Sequence, residues 1–183
     1  MTTTAEQLET VLETERLRLK KLEAKDAEFI LRLLNEPSFL RYIGDKKVRT
    51  IEDAARYIEN GPRASYERFG FGLFLVELKA TGKSIGMCGL LKRDTLPDVD
   101  IGFAFLPEYW SQGYALEAAF ATLKDGREHF GLQRIVAITS LDNNASIRLL
   151  EKLGFTYEGL TKLGDDQSEV KLFGTDIQIL EEQ

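Results

Sequence analysis

Between Gly72 and Leu106 the sequence passes through three apolar blocks, 72–78, 84–91 and 99–106, parted only by short polar turns. Each short apolar block reads as a strand. Lys79-Ala80-Thr81-Gly82-Lys83 is a hairpin connection, the second turn lies around Asp94–Asp98, and Pro107, which cannot donate to a ladder, closes the third block. Three consecutive strands in antiparallel order are the expectation. Helical segments are legible on either side of them in the chain. Phe29, Ile30, Leu33 and Leu34 stand at helical spacing over 26–34, and Pro37 limits that helix. Thr50 followed three residues later by Asp53 reads as a cap, with Ile51, Ala54, Ala55 and Ile58 giving an apolar face as far as Gly61-Pro62 and a resumption toward Arg68. Leu116, Phe120, Leu123 and Phe130 mark one face of a long helix over 115–130.

Leu17, Leu19 and Leu22 supply an opening strand, and the chain ends with a strand over 135–139, a helix over 144–153 closed by Gly154, and strands over 155–160 and 170–173. The order is a strand, two helical regions, the meander, then βαβαββ, which is the α+β class. At 183 residues the chain fits one domain, 1–183, against roughly 100–200 residues per domain. Residues 1–14 form a polar arm and 175–183 an acidic tail. With 24 Lys and Arg against 30 Asp and Glu there is no basic excess to neutralise a phosphate backbone, so nucleic acid is not the expected partner. One cysteine, Cys88, precludes an internal disulfide, and one histidine, His129, cannot build a zinc cluster, so no metal is expected. The longest nearly apolar stretch, 69–76, falls far short of the ~20 residues of a membrane span. A cytoplasmic protein is the expectation.

Two segments can carry chemistry. In the first, the strand Asp100-Ile101-Gly102-Phe103-Ala104-Phe105 runs through Pro107-Glu108-Tyr109-Trp110-Ser111-Gln112-Gly113 into the long helix at Tyr114-Ala115. The first turn of a helix has unpaired N–H groups and a positive dipole end, and a glycine there admits a diphosphate close to the backbone. An ordinary tight strand-to-helix turn has the same spacing. Two other phosphate motifs fail: Thr81-Gly82-Lys83-Ser84 lacks the earlier P-loop glycine, because Glu77 stands there, and Gly70-Phe71-Gly72 leads into a strand rather than a helix. In the second segment, Asn143 caps a helix that contains Ser146 and ends at Gly154-Phe155.

Taken together, in this order and about 30 residues apart, these segments resemble the GNAT superfamily of acyl-CoA-dependent N-acyltransferases, most closely its RimJ/RimL-like branch of ribosomal-protein N-terminal acetyltransferases. The resemblance rests on Asp100 before Ile101-Gly102-Phe103, on Pro107 and Trp110, on Gly113-Tyr114-Ala115-Leu116-Glu117-Ala118, on Asn143 with Ser146, and on Glu151-Lys152-Leu153-Gly154-Phe155. It extends from Arg16-Leu17-Arg18-Leu19 to the final hairpin. It implies a mostly antiparallel, twisted sheet of about seven strands flanked by helices, with acetyl-CoA at the splayed fourth and fifth strands. The diphosphate would then lie on the amides of Ser111, Gln112, Gly113, Tyr114 and Ala115. The pantetheine arm would pair with the backbone of Ala104, Phe105 and Leu106, and Asn143 would line the same site.

The resemblance further implies direct attack of an amine on the thioester, with no acyl-enzyme. Many members use a tyrosine as general acid where this chain has Leu150; Ser146 matches the serine proposed for that role in the RimL-like branch. Asp100 and Asp165 are the candidates for general base. The acceptor that the resemblance implies is a protein N-terminal α-amine; a polyamine, amino acid or aminoglycoside, and a noncatalytic acyl-CoA-binding module, remain as alternatives. A homodimer is common among such relatives.

Overall fold

The three apolar blocks pair as antiparallel neighbours in the computed structural model, which describes residues 10–164 and 167–176. They are β3 (Leu73–Leu78), β4 (Ser84–Leu91) and β5 (Asp100–Phe105), with Leu73 opposite Gly89 and Met87 opposite Ala104. β2 (Leu17–Lys20) adds to β3, and β1 (Thr10–Glu13) adds to β2. Beyond β5 lie β6 (Arg134–Thr139), β8 (Ser168–Asp176) and β7 (Thr156–Leu163), giving the eight-strand order β1-β2-β3-β4-β5-β6-β8-β7. Every pair is antiparallel except β5 with β6.

The central strands are buried on both faces, which explains why they read as unbroken apolar runs rather than alternating ones. Leu73, Leu75, Met87 and Ala104 face α1 (Ala27–Leu34), α2 (Pro37–Tyr42) and α3 (Ile51–Ile58) through Ile30, Leu33, Phe39, Ala54 and Ile58. Phe74, Val76, Cys88, Ile101 and Phe105 face α5 (Tyr114–Glu128) and α6 (Asn144–Lys152) through Ala118, Ala119, Leu123 and Leu150. Cys88 is fully buried against the Thr122 hydroxyl at 3.5 Å, and burial pushes its thiol up to about 12, so it is packing rather than a nucleophile at neutral pH.

The capping reading of Thr50 and Asp53 is realised in both directions: Asp53 N–H donates to Thr50 Oγ1 at 3.0 Å, and Thr50 N–H to Asp53 Oδ2 at 3.1 Å. After α3 a π-type turn over Glu59–Arg63 carries Pro62, and α4 (Ala64–Phe69) resumes the helix.

Three differences from the sequence reading have local causes. Pro37 does more than limit α1; it occupies the first turn of α2, where its missing N–H costs nothing. Part of the polar arm, Thr10–Glu13, pairs with β2, and its burial alternates between half-buried and exposed, a weak signal for periodicity. The strands β7 and β8 are longer than their apolar residues suggest because much of β7 is exposed. Of the expected acidic tail, Thr175 and Asp176 end β8, and 177–183 lie outside the described residues. Among the described residues no helix is long and apolar enough to cross a membrane.

Candidate active site

β5 and β6 meet at a single parallel pair, Asp100 with Val136, tied by Val136 N–H donating to Val99 O at 3.0 Å. Past that point β5 stays with β4 as far as Phe105, while β6 stays with β8 as far as Thr139. The two strands therefore diverge, and each turns an unpaired edge into the gap. A cavity of about 940 Å³ occupies it, within the range of small-molecule sites. Its walls come from β5, the loop before α5, the end of β6, the start of α6 and the helices α1–α3.

The parity of β5 decides which of its amides are free. Leu106 N–H donates to Ile85 O at 2.9 Å, and alternation along an antiparallel ladder turns Ala104 toward β4 in the same way. Residues 101, 103 and 105 face the gap instead, as Val99 does at its base. Of the expected trio, Phe105 alone presents its amide to the cavity. Its carbonyl accepts Trp110 Nε1–H at 2.9 Å, so Trp110 anchors the loop although 43% of its surface is exposed.

That loop leaves the strand through a 3₁₀ turn, Pro107–Tyr109, and then takes two left-handed residues, Ser111 (φ 59°) and Gly113 (φ 82°), the latter capping α5. A non-glycine residue at positive φ costs of order 1–3 kcal/mol and persists only where its surroundings fix it. The fixing comes from Arg16. Its Nη1 donates to Gln112 O at 2.9 Å, its Nε to Glu117 Oε2 at 2.7 Å, and its guanidinium lies 4.4 Å from the centre of the Tyr114 ring. Gln112 contributes by folding its side chain back, Nε2 donating to Glu108 O at 2.9 Å. The amides of Ser111, Gln112, Gly113, Tyr114, Ala115 and Leu116 form no hydrogen bond among the described residues; the first α5 bond is Glu117 N–H to Gly113 O. Left-handed residues in such a turn can aim neighbouring N–H groups at an anion, here at the positive end of a 15-residue helix.

Across the gap, Asn143 Oδ1 accepts Ser146 N–H at 3.2 Å and so caps α6, leaving the Ser146 hydroxyl free of any partner among the described residues. Both residues line the cavity. Thr139, 6% exposed at the end of β6, also lines it, and its Oγ1 is buried without a partner. Orphaned buried hydroxyls are uncommon, and one that faces a cavity is suited to a ligand.

Asp100 lies at the base of the gap with no exposed surface, both carboxylate oxygens within 3.2 Å of Arg93 Nε. Burial raises its pKa, and the Arg93 charge opposes that only in part. A carboxyl raised in this way favours folding below its ordinary pKa, and the contribution is lost as pH rises through the raised value. Asp100→Asn lacks this term, so its stability relative to the unsubstituted protein should grow with pH across that window, as urea unfolding at several pH values would register.

The expected site residues Asp100, Ala104, Phe105, Ser111, Gly113, Tyr114, Ala115, Asn143 and Ser146 all border the one cavity. Leu106 and the Gln112 side chain do not, and Asp165 lies outside the described residues. Arg16, Thr139, Arg93, Lys46 and Tyr57 escaped the sequence reading. For Arg16 a signal existed, an arginine just before the opening strand, but its partner stands 101 residues away.

A model of the acetyltransferase (GNAT) domain family matches residues 16–156. An uncharacterized N-acetyltransferase of Bacillus subtilis, YoaA, is 32% identical over 154 residues, covering 83% of this chain and 86% of that protein. Among solved structures, a GNAT-family acetyltransferase from Bacillus anthracis is 28% identical with a TM-score of 0.75, over 91% of this chain and 98% of the other. The fold is also that of the ribosomal-protein α-N-acetyltransferase RimL in complex with coenzyme A, at 17% identity and a TM-score of 0.78 over 92% and 98% of the two chains. The family model spans most of the chain and the YoaA match reaches 32% identity, so the chain belongs to the GNAT acetyltransferase family.

Proposed function

We propose that this chain transfers the acetyl group of acetyl-CoA to a primary amine by direct attack in a ternary complex, with a protein N-terminal α-amine as acceptor. The observation that carries the reading is the run of six unpartnered amides, Ser111 to Leu116, at the mouth of the gap between β5 and β6. They suit the diphosphate of the coenzyme, and the free edge of β5 suits an extended pantetheine arm that pairs like a further strand. The Phe105 N–H is then the donor for the thioester oxygen; one such donor contributes about 2.7–4 kcal/mol in the transition state.

In the reaction the amine nitrogen bonds to the thioester carbon, the carbon–sulfur bond breaks, and the nitrogen gives up a proton as the sulfur takes one. Ser146 is assigned as the proton donor to sulfur, and Asp100 or Asp165 as the carboxylate that draws the proton from nitrogen. An α-amine with pKa about 7.7–8.0 is roughly a tenth neutral at pH 7, so it needs little help, whereas a lysine-like amine near 10.4 is neutral to only about 0.04%. This contrast favours an α-amine over a polyamine. RimL's own name, that of an α-N-acetyltransferase, supports the same choice. A chain with a single, buried cysteine is also suited to the cytoplasm.

The test is to incubate the pure protein with acetyl-CoA and a library of N-terminal peptides, amino acids, aminoglycosides and polyamines while following release of the CoA thiol. Release with α-amines supports the reading. Binding of acetyl-CoA in a calorimeter with no release from any acceptor would leave a noncatalytic binding module in its place. Because Arg16 braces the loop and does not line the cavity, Arg16→Ala is expected to raise KM for acetyl-CoA about tenfold, the loss of one charge-assisted bond, while kcat changes little. Steady-state kinetics with acetyl-CoA varied would check it.

A further inference from the structure

On the α1–α3 face of the sheet the cavity is lined by Lys46, from the segment between α2 and α3, by Tyr57 of α3, by Arg93, from the turn after β4, and by Asp100. Arg93 is the centre of this group. Its Nε holds Asp100 at 3.1 Å, and its charge acts on both Lys46 and Tyr57. The terminal nitrogens of Arg93 form no hydrogen bond among the described residues, and Lys46 feels the Arg93 charge and its own burial rather than any described acid.

Among the described residues, each acid of the cavity has an arginine beside it. Asp100 has Arg93, Glu36 has Arg32 at 3.7 Å, and Asp142 has Arg41 at 2.9 Å. Among the described residues of this wall, a polyamine would find each carboxylate already beside an arginine and would have to approach two cations. Like charges set side by side at a cavity wall are costly unless an anion joins them. The other two cations of the wall, Arg148 and Lys152, belong to α6 on the opposite face, beside the side assigned to the coenzyme.

We infer that the acceptor is an amine whose own molecule carries a carboxylate, seated between Lys46 and Arg93 so that the amine points to the thioester at the gap. The α-carboxylate of a free amino acid and an acidic side chain close to a peptide N-terminus offer the same chemistry. Tyr57 adds a hydroxyl donor on the same wall, and Asp100 holds Arg93 in place. This inference rests on the acetyltransferase reading and narrows its acceptor.

The experiment measures CoA thiol release for matched pairs, expressed per neutral amine: alanine against alaninamide, and Ala-Asp-Ala-amide against Ala-Asn-Ala-amide, with spermidine alongside. The carboxylate member of at least one pair should be preferred by about tenfold or more in kcat/KM, as expected for a charge-assisted contact, and added salt should shrink the preference. The first pair identifies a free amino acid and the second an acidic peptide as the source. Lys46→Glu should bring the preferred ratio to one or below, and Lys46→Arg should keep it above one. Equal turnover within both pairs, a preference for spermidine, or a ratio untouched by Lys46→Glu would overturn the inference and leave the acetyltransferase reading standing. No thiol release from any acceptor would overturn both.

Discussion

Gly113→Asp is expected to weaken acetyl-CoA binding by about 10³-fold or more, read as Kd by calorimetry. Three terms add. The residue sits at φ 82°, where a side chain costs of order 1–2 kcal/mol. Its carboxylate would stand among the amides assigned to the diphosphate, replacing attraction by repulsion where each bond to a charged group is worth about 1.5–3 kcal/mol. Its Cβ would also lie 3.2 Å from Arg16 Nη2, so the new carboxylate would draw that guanidinium away from the Gln112 carbonyl it braces. About 4 kcal/mol corresponds to the factor stated. Gly113→Ala carries the strain without the charge and should lose only about tenfold. Equal losses in the two variants would mean that the loop matters for its shape and not for an anion.

The second large effect is on turnover. Ser146→Ala should lower kcat by about 10²–10⁴ while KM for acetyl-CoA stays within a factor of about two, because a proton donor acts in the transition state and contributes little to ground-state binding. The variant is a clean one. The cap of α6 uses the backbone N–H of Ser146 on Asn143 Oδ1, and the hydroxyl has no partner among the described residues, so the helix start survives the substitution. Asn143→Ala breaks the cap instead and should cost about 1 kcal/mol of stability. Unchanged kcat in the serine variant would remove its chemical role and leave Thr139, whose buried hydroxyl lies at the same cavity, as the next group to test.

The parts of this site that are contiguous in sequence were legible there, and the parts assembled from distant segments were not. The loop from Pro107 to Gly113 carries its own signal, because a proline that stops a strand and a glycine that opens a helix act within a few residues. The cap at Asn143, the box at Thr50 and Asp53, and the stop at Gly154 are local for the same reason. Which β5 amides are free is a matter of parity, set by the register with β4, and no residue in 104–106 announces it; hence Leu106 was expected at the ligand and is bonded to Ile85. Arg16 with Glu117 and Lys46 with Arg93 and Asp100 are brought together by the sheet across long stretches of chain. Pro37 bounds α1 as expected and also opens α2, a second role that the sequence reading does not assign, since a proline that bars the continuation of one helix is well placed to begin another.

The most direct test of the account is an NMR titration of the ¹⁵N-labelled protein with coenzyme A, following the backbone amides one by one. Signals of Gln112, Gly113, Tyr114 and Ala115 should move downfield and saturate together as their N–H groups take up phosphate oxygens, while those of 129–131 at the far end of α5 stay in place. Loop amides that remain unmoved while coenzyme A binds elsewhere, or that exchange with solvent at the same rate with and without it, would contradict the account.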